Sequence, residues 1–457
     1  MNTYIIVGII LVALVALLAT NKKLVETLKN IYKIEELRKR ILFTLGLLLI
    51  YRLGSFVTLP GVNHAILEQW TQNFANDSSS LMGLLNIFSG GAFSQASIFA
   101  LGVMPYITAS IIIQLLGIMV PYFRKMQREG ESGRRRMNQW TRFLTIAVLL
   151  LQAPAYLATQ VISSGAVTVT GDFLGIANGA FIVPAVIILI AGTMFIMWLG
   201  EKITDKGIGN GISLIIMIGI VARLPQSFLQ ELMFQTTGGG SIIMLLVELV
   251  FLALVFMMAI AIVQAVRKIP VQYAKRIVGN KQYGGVRQYN PLKLNAANVM
   301  PIIFAQALMF IPGLIWGGQW LDITSFWYNF TLFVLVIAFT YFYTAIIVNP
   351  QMMADDMKRN GGFIPGVKPG KSTVSYIDDI MTRITLPGSV FLAIITVLPA
   401  IAMTLGITQG FAYFFGGTSL LIMVGVVLDT LKQIESYLLM RHYDGLMKTG
   451  RIQGRYY

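Results

Sequence analysis

Arg52, Glu248 and Asp429 fall toward the ends of strongly apolar stretches in this 457-residue chain. Chemistry at bilayer depth needs a nucleophile beside a base, paired carboxylates or a set of metal ligands. These three do not cluster, and isolated residues of this kind suit snorkelling or helix–helix contact rather than catalysis. His64 and His442 lie far apart with no metal-ligand spacing, and the absence of cysteine excludes disulfides and thiolate metal sites. The glycine-rich GIGNG at 207–211 lacks the preceding strand and the spacing of a dinucleotide fingerprint. The residues announce neither an enzyme nor a resident metal or cofactor.

The elements that would position any function are apolar helices. The chain is 56% hydrophobic and 12% charged, with a mean hydropathy of +0.72, the composition of a polytopic membrane protein. Its formal charge of +15 is distributed by topology. Lys and Arg concentrate in 22–40, 124–142, 202–206, 267–293, 358–383 and 432–455, with Arg52 and Arg223 as exceptions. The connections around 59–80, 158–180, 315–328 and 401–416 contain none. By the positive-inside rule the basic segments and the C-terminus are cytoplasmic.

Apolar periodicity and length predict ten spans, at about 41–58, 96–119, 141–160, 180–199, 211–224, 242–265, 297–315, 329–348, 384–403 and 418–438. The expected fold is an all-α polytopic bundle of two inverted five-span halves, 41–224 and 241–440, joined by an exoplasmic hinge loop at 225–240. Residues 1–21 read as an extra transmembrane anchor, or as a fused segment, and 22–40 as a cytoplasmic amphipathic helix. Residues 441–457 read as a cytoplasmic tail.

One stretch breaks the pattern. From Asp77 to Arg124 no Asp, Glu, Lys, Arg or His intervenes, and as one helix it would be roughly 70 Å long against a ~30 Å hydrocarbon core. It must start outside and end inside, so a re-entrant piece turning at Ser89-Gly90-Gly91 before one full span is predicted. Non-helical backbone at that depth is tolerated only where it is buried in protein or lines a watery cavity.

A solute transporter would need charged or strongly polar midplane groups, and the chain offers mainly Gln114, Asn295 and Asn298. Bulky aliphatics dominate instead: IIIQLL at 111–116, ISLIIMIGIV at 212–221 and PIIF at 301–304. Converging on one point, such residues would gate by excluding water, but periodicity cannot show convergence. The long connections 267–293 and 349–379 are rich in Gly and Lys or Arg, and read equally as docking surfaces or as solvated links.

Several blocks carry a resemblance: NIFSGGAFSQASIFALGVMPYITASIIIQLL at 86–116, EGESGRRRMNQWTR at 129–142 and GTMFIMWLGEKITDKGIGNGIS at 192–213. YAKR at 273–276, PLKLN at 291–295, FYTAIIVNP at 342–350, FIPGVKPG at 363–370 and GGTSLLI at 416–422 add to it. From about Leu24 to Arg451 the chain resembles the SecY family, the pore subunits of the Sec protein translocase. The resemblance implies a channel that passes unfolded polypeptides across the bacterial cytoplasmic (inner) membrane and releases transmembrane segments sideways into lipid. It implies a plug helix at 81–95, carried here by Leu84, Asn86, Phe88, Ser89, Gly90, Gly91 and Phe93. It also implies a pore ring of Val103, Ile107, Ile212, Ile216, Met300, Ile303 and Ile422. Gln114 and Asn295 become the polar contacts of a lateral gate. Lys275, Arg276, Lys358, Arg359 and Lys368 become contacts for the SecA motor or the ribosome, although relatives usually carry arginine where this chain has Lys368. The implied partners are the small SecE and SecG subunits, SecA, the translating ribosome, signal-bearing substrates and anionic lipids.

Overall fold

The computed structural model describes residues 34–67, 86, 89–168, 178–237, 241–273, 276–278, 281–283, 287–316 and 324–448. The expected anchor at 1–21, residues 22–33 of the amphipathic stretch, and Leu84, Phe88 and Lys275 lie outside the described residues. The chain divides into two compact units.

The first unit holds α1 (Glu35–Gly54), α2 (Met104–Met119), α3 (Pro121–Arg128), α4 (Glu131–Tyr156), α5 (Gly179–Lys206) and α6 (Gly211–Thr237). Acidic residues open α1, where Glu35 pairs with Lys39 at 2.8 Å and Glu36 with Arg40 at 3.1 Å, matching the positive end of the helix dipole. Pro121 ends α2 and opens α3, since proline cannot donate within a helix yet fits its first turn. The core gathers Leu59, Leu67, Ala96, Ala100, Tyr156 and Phe181, and α4 continues into a π-helical turn at Leu157–Ile162.

Two boundaries differ from expectation. The span expected from residue 96 becomes helical at Met104; residues 96–103 form turns, with Ala96 and Gly102 at positive φ. The hinge loop expected at 225–240 is helical as far as Thr237, because α6 runs through Pro225. Its last turns bury Ser227, Glu231, Leu232 and Gln235, and Gln235 Nε2 donates to Glu231 Oε1 at 2.8 Å. Burial on one face sustains a helix that proline alone would have ended.

The second unit is not all helical. It comprises α7 (Ile242–Gln264), β1 (Val266–Tyr273), β2 (Arg276–Val278), β3 (Lys281–Tyr283), β4 (Arg287–Lys293) and α8 (Met300–Trp316). After these come α9 (Phe326–Ile347), α10 (Pro350–Arg359), β5 (Gly362–Phe363), α11 (Lys371–Thr404), α12 (Gln409–Ala412) and the start of α13 (Gly417–Lys448). The all-α expectation is therefore corrected to mostly helical with a small antiparallel sheet in the order β4-β1-β5. The two long connections that looked separate in sequence meet in it, Gln272 opposite Phe363 and Tyr273 opposite Gly362. Pro270 fits within β1 because β5 reaches only those last two residues, leaving one edge of the ladder without a donor to satisfy at that point. Ile269, Val271 and Leu292 pack on Met357, Ile364, Ile377 and Met381. Helix α13 continues past residue 440 to Lys448.

Among the described residues, seven helices are long and apolar enough to cross a membrane, or up to eight if the bent pair 104–117 and 121–127 counts as one span. Helices α1 and α8 occupy two further expected positions but fall short of that criterion. On α7, Ile243 is 77% exposed and Met257 65%; so large an apolar face calls for lipid or a partner.

Close packing at glycine yields a test. A Cβ on Gly192 would collide with the carbonyl oxygen of Ile98, whereas one on the exposed Gly46 of α1 would meet nothing. Gly192→Ala should cost about 1–3 kcal/mol by overpacking, and Gly46→Ala should gain about 0.5–1 kcal/mol of helix stability. Thermal unfolding of the two variants in detergent checks this; equal melting temperatures would contradict the packing described.

Candidate functional site

The site grows from the turn at Ser89-Gly90-Gly91. Gly90 has φ +65° and Gly91 φ +95°, a region in which side chains with a Cβ are strained. Space demands glycine as well. A Cβ on Gly90 would stand 2.9 Å from the Cα of Gly219, and one on Gly91 would stand 2.7 Å from Nη2 of Arg223. The turn is closed by Gly91 N–H donating to Asn86 O at 2.9 Å and Ser97 N–H donating to Ala92 O at 3.1 Å.

Two arginines hold this segment from different helices. Arg52 of α1 donates through Nη1 to Gly90 O at 2.8 Å and lies over the ring of Phe56 at 4.7 Å. Arg223 of α6 donates through Nη2 to Asn86 Oδ1 at 3.0 Å and to Ser94 Oγ at 3.2 Å. Asn86 Oδ1 also accepts from Ser94 N–H at 3.2 Å, so Asn86 fixes the turn and receives the cation together. On the far side, Tyr156 Oη donates to Phe93 O at 2.7 Å, with the two rings 4.8 Å apart. The backbone of 96–98 is held by Leu59 N–H to Ala96 O and Ile98 N–H to Val57 O, both 2.9 Å.

Val103 caps the start of α2 and the other expected ring residues lie on helices, their side chains buried or half-buried. In the first unit, Val103 and Ile107 are one turn apart, joined by Ile107 N–H to Val103 O at 3.0 Å, and Ile212 and Ile216 are one turn apart on α6. In the second unit, Met300 and Ile303 lie in the first turn of α8, and Ile422 is buried on α13. The two gate residues bond locally. Gln114 Nε2 donates to Ser110 Oγ of its own helix at 3.5 Å, and Asn295 Nδ2 donates to Asn298 O at 3.2 Å, where Asn298 adopts φ +53°.

Of the basic residues expected to dock partners, Lys358 and Arg359 are exposed in the last turn of α10. Lys368 is exposed on the turn before α11, its carbonyl accepting from Thr373 Oγ1 at 3.0 Å. Arg276 opens β2, which pairs with β3.

Sequence reasoning did not foresee the role of Arg223, although a lone arginine outside the basic alternation was a signal. It also missed how the GIGNG loop is satisfied. Ile208 N–H donates to Thr44 Oγ1 at 3.1 Å, Gly209 N–H to Gln433 Oε1 at 2.7 Å and Gly211 N–H to Thr204 Oγ1 at 2.9 Å. This loop is a junction of three helices. Beside it, Arg142 of α4 grips Glu201 of α5 through two bonds, at 3.2 and 2.5 Å. Nothing in these arrangements makes or breaks covalent bonds. They hold non-helical backbone among apolar helices.

Comparison with known proteins agrees with that architecture. The SecY family model matches residues 97–431. A protein translocase subunit SecY of Corynebacterium glutamicum is 42% identical over 445 residues, covering 91% of this chain and 98% of the relative. A solved structure of a protein-conducting channel aligns with a TM-score of 0.59 at 18% identity, covering 87% of this chain and 91% of that one. Sec61 in the canine ribosome–channel complex of the endoplasmic reticulum aligns with a TM-score of 0.56 at 17% identity, over the same shares. With apolar helices that call for lipid, held backbone between them and this likeness along nearly the whole length, the chain belongs to the SecY family of multi-pass membrane channels that translocate proteins.

Proposed function

We propose that the channel conducts unfolded secretory chains outward across a bacterial cytoplasmic membrane and releases transmembrane segments laterally into lipid. It does so through ten spans in two inverted halves, with the C-terminus cytoplasmic. In this reading residues 81–95 are a removable stopper. Val103, Ile107, Ile212, Ile216, Met300, Ile303 and Ile422 form the constriction, and Gln114 and Asn295 bias the lateral gate. The observation that carries the reading is the segment 89–103. A charge-free apolar stretch that could have been helix is folded as a glycine turn held by side chains from α1, α4 and α6. Backbone is held this way at membrane depth when it lines or blocks a cavity.

An aliphatic ring suits the task because its side chains deform around any sequence and leave a resting pore dry. A polar gate contact worth ~1 kcal/mol biases closure without locking it. The channel performs no covalent chemistry, so energy must come from a partner: the SecA motor, translation or the membrane potential. SecE and SecG would flank it, with anionic lipids at the basic edges. The ribosome belongs among its partners because a related channel was solved in complex with one. The sheet bearing Arg276 and the exposed Lys358, Arg359 and Lys368 make the basic surface for such a partner.

Three experiments test the reading. Vesicles containing this chain, its small companions and the motor should protect a secretory precursor from protease; accumulation of a small solute without precursor entry would favour a transporter. Changing Val103, Ile107, Ile216, Ile303 and Ile422 to glycine should make resting membranes leak ions, and unchanged conductance would discard the ring. Reversing the charges of Lys275 and Arg276 should weaken ribosome docking and make it less sensitive to salt, the log–log slope falling by about 1 for each phosphate no longer neutralised. Normal docking would return that loop to a solvated link.

A further inference from the structure

The two arginines that meet the glycine turn hold it in the reading above, but that reading gives them no part in its release. No Asp or Glu occurs between Asn86 and Ser97. The acceptors that this segment offers are a backbone carbonyl, an amide oxygen and a hydroxyl: Gly90 O, Asn86 Oδ1 and Ser94 Oγ. Each cation also sits against a position where only glycine fits, Nη1 of Arg52 at 3.2 Å from a Cβ placed on Gly90 and Nη2 of Arg223 at 2.7 Å from one on Gly91. The glycines and the guanidiniums are thus shaped to one another. The arginines reach the segment from α1 and α6, 38 and 137 residues away in sequence from the atoms they bind.

We infer that Arg52 and Arg223 are positioning residues that clasp Asn86 and the turn at 89–94 in the resting channel, and that the clasp opens by exchange with carbonyl oxygens of an entering unfolded chain. The inference rests on the reading of this segment as a stopper. The bonds are charge-assisted on the donor side, and each such bond shifts an equilibrium by roughly tenfold to a hundredfold. They are not ion pairs, so removing the segment strands no carboxylate. Without the segment Arg52 would keep only the longer bond from Nη1 to Ser55 Oγ at 3.4 Å, and Arg223 would lose Asn86 Oδ1 and Ser94 Oγ. Cations short of acceptors in an apolar setting are costly, and an unfolded polypeptide carries a carbonyl at every residue. The arriving substrate therefore brings the ligand that replaces the segment. A guanidinium suits the exchange because its fork presents several donors in a fixed plane, whereas an ammonium is a more strongly hydrated point charge.

The lack of native cysteine makes a direct test possible. Ala92 is fully buried in the held segment, and Ala92→Cys places a single thiol there. Full-length chain in proteoliposomes is treated with a membrane-impermeant maleimide added to each face in turn, alongside a measurement of resting ion conductance. Labelling should be slow in the Ala92→Cys background and about tenfold faster or more after Arg52→Met with Arg223→Met. Arg223→Lys should be intermediate. Asn86→Asp supplies a carboxylate to Arg223 and should slow labelling, which keeps the test decisive if the double variant fails to fold. Unchanged labelling in the folded arginine variants, or faster labelling with Asn86→Asp, overturns the clasp. A rise in conductance without a rise in labelling also overturns it. Faster labelling with conductance unchanged supports the clasp and removes the stopper role of the segment it holds.

Discussion

A polar backbone placed among apolar helices must find every partner inside the protein, because hydrocarbon offers none. Helices meet this requirement by themselves, and most of the chain uses them. The stretch from Ser89 to Val103 does not, and the surrounding elements are arranged to satisfy it. Arg52 takes the carbonyl of Gly90, Tyr156 takes that of Phe93, and residues 57–59 exchange bonds with 96–98. Glycine is needed at 90 and 91 both for the left-handed backbone and for the clearance beside Gly219 and Arg223. The GIGNG loop solves the same problem with Thr44, Thr204 and Gln433 in place of charges. The first segment is held by two cations from the spans, the second by neutral side chains from three helices.

Much of this was legible in the residues, and the reason is physical. Charge-free length beyond what a bilayer can hold predicts a break in the helix, and residues 89–103 are not helical. Loop basicity and apolar length located the long helices, but not their ends: α4 and α11 begin ten or more residues before the expected spans, and α6 and α13 end ten or more residues beyond them. The clasp was not legible, because its bonds join residues 38, 129 and 137 positions apart and no local period records them. The extension of α6 through Pro225 was hidden for a related reason. A proline reads as a stop unless the burial of Glu231, Leu232 and Gln235 beyond it is known. The sheet was missed because β1 alternates over only a few residues and carries a proline within it. Its register is read from its pairing with β4 along Val266–Gln272, while the strand from the other connection meets only its last two residues.

That last point changes how the basic connections are to be understood. Read along the chain, 267–293 and 349–379 are two separate connections, each equally a docking surface or a solvated link. In the structure they form one module, since β1 pairs with both β4 and β5. The module is anchored by Met357 of α10 and by Ile377 and Met381 of α11, all buried against Ile269, Val271 and Leu292. Parting that interface would expose several large apolar side chains, each worth about 1.5–3 kcal/mol when fully buried. A force on the sheet is therefore carried by α11 before the sheet tears away. Helix α11 runs unbroken from Lys371 to Thr404 through Pro387 and Pro399, and Gly388 lets Leu294 O approach to 2.9 Å of where a Cβ would stand. Lys358 and Lys368 thus belong to the same packed module as the sheet and α11, the helix whose buried face enters the apolar core of the second unit.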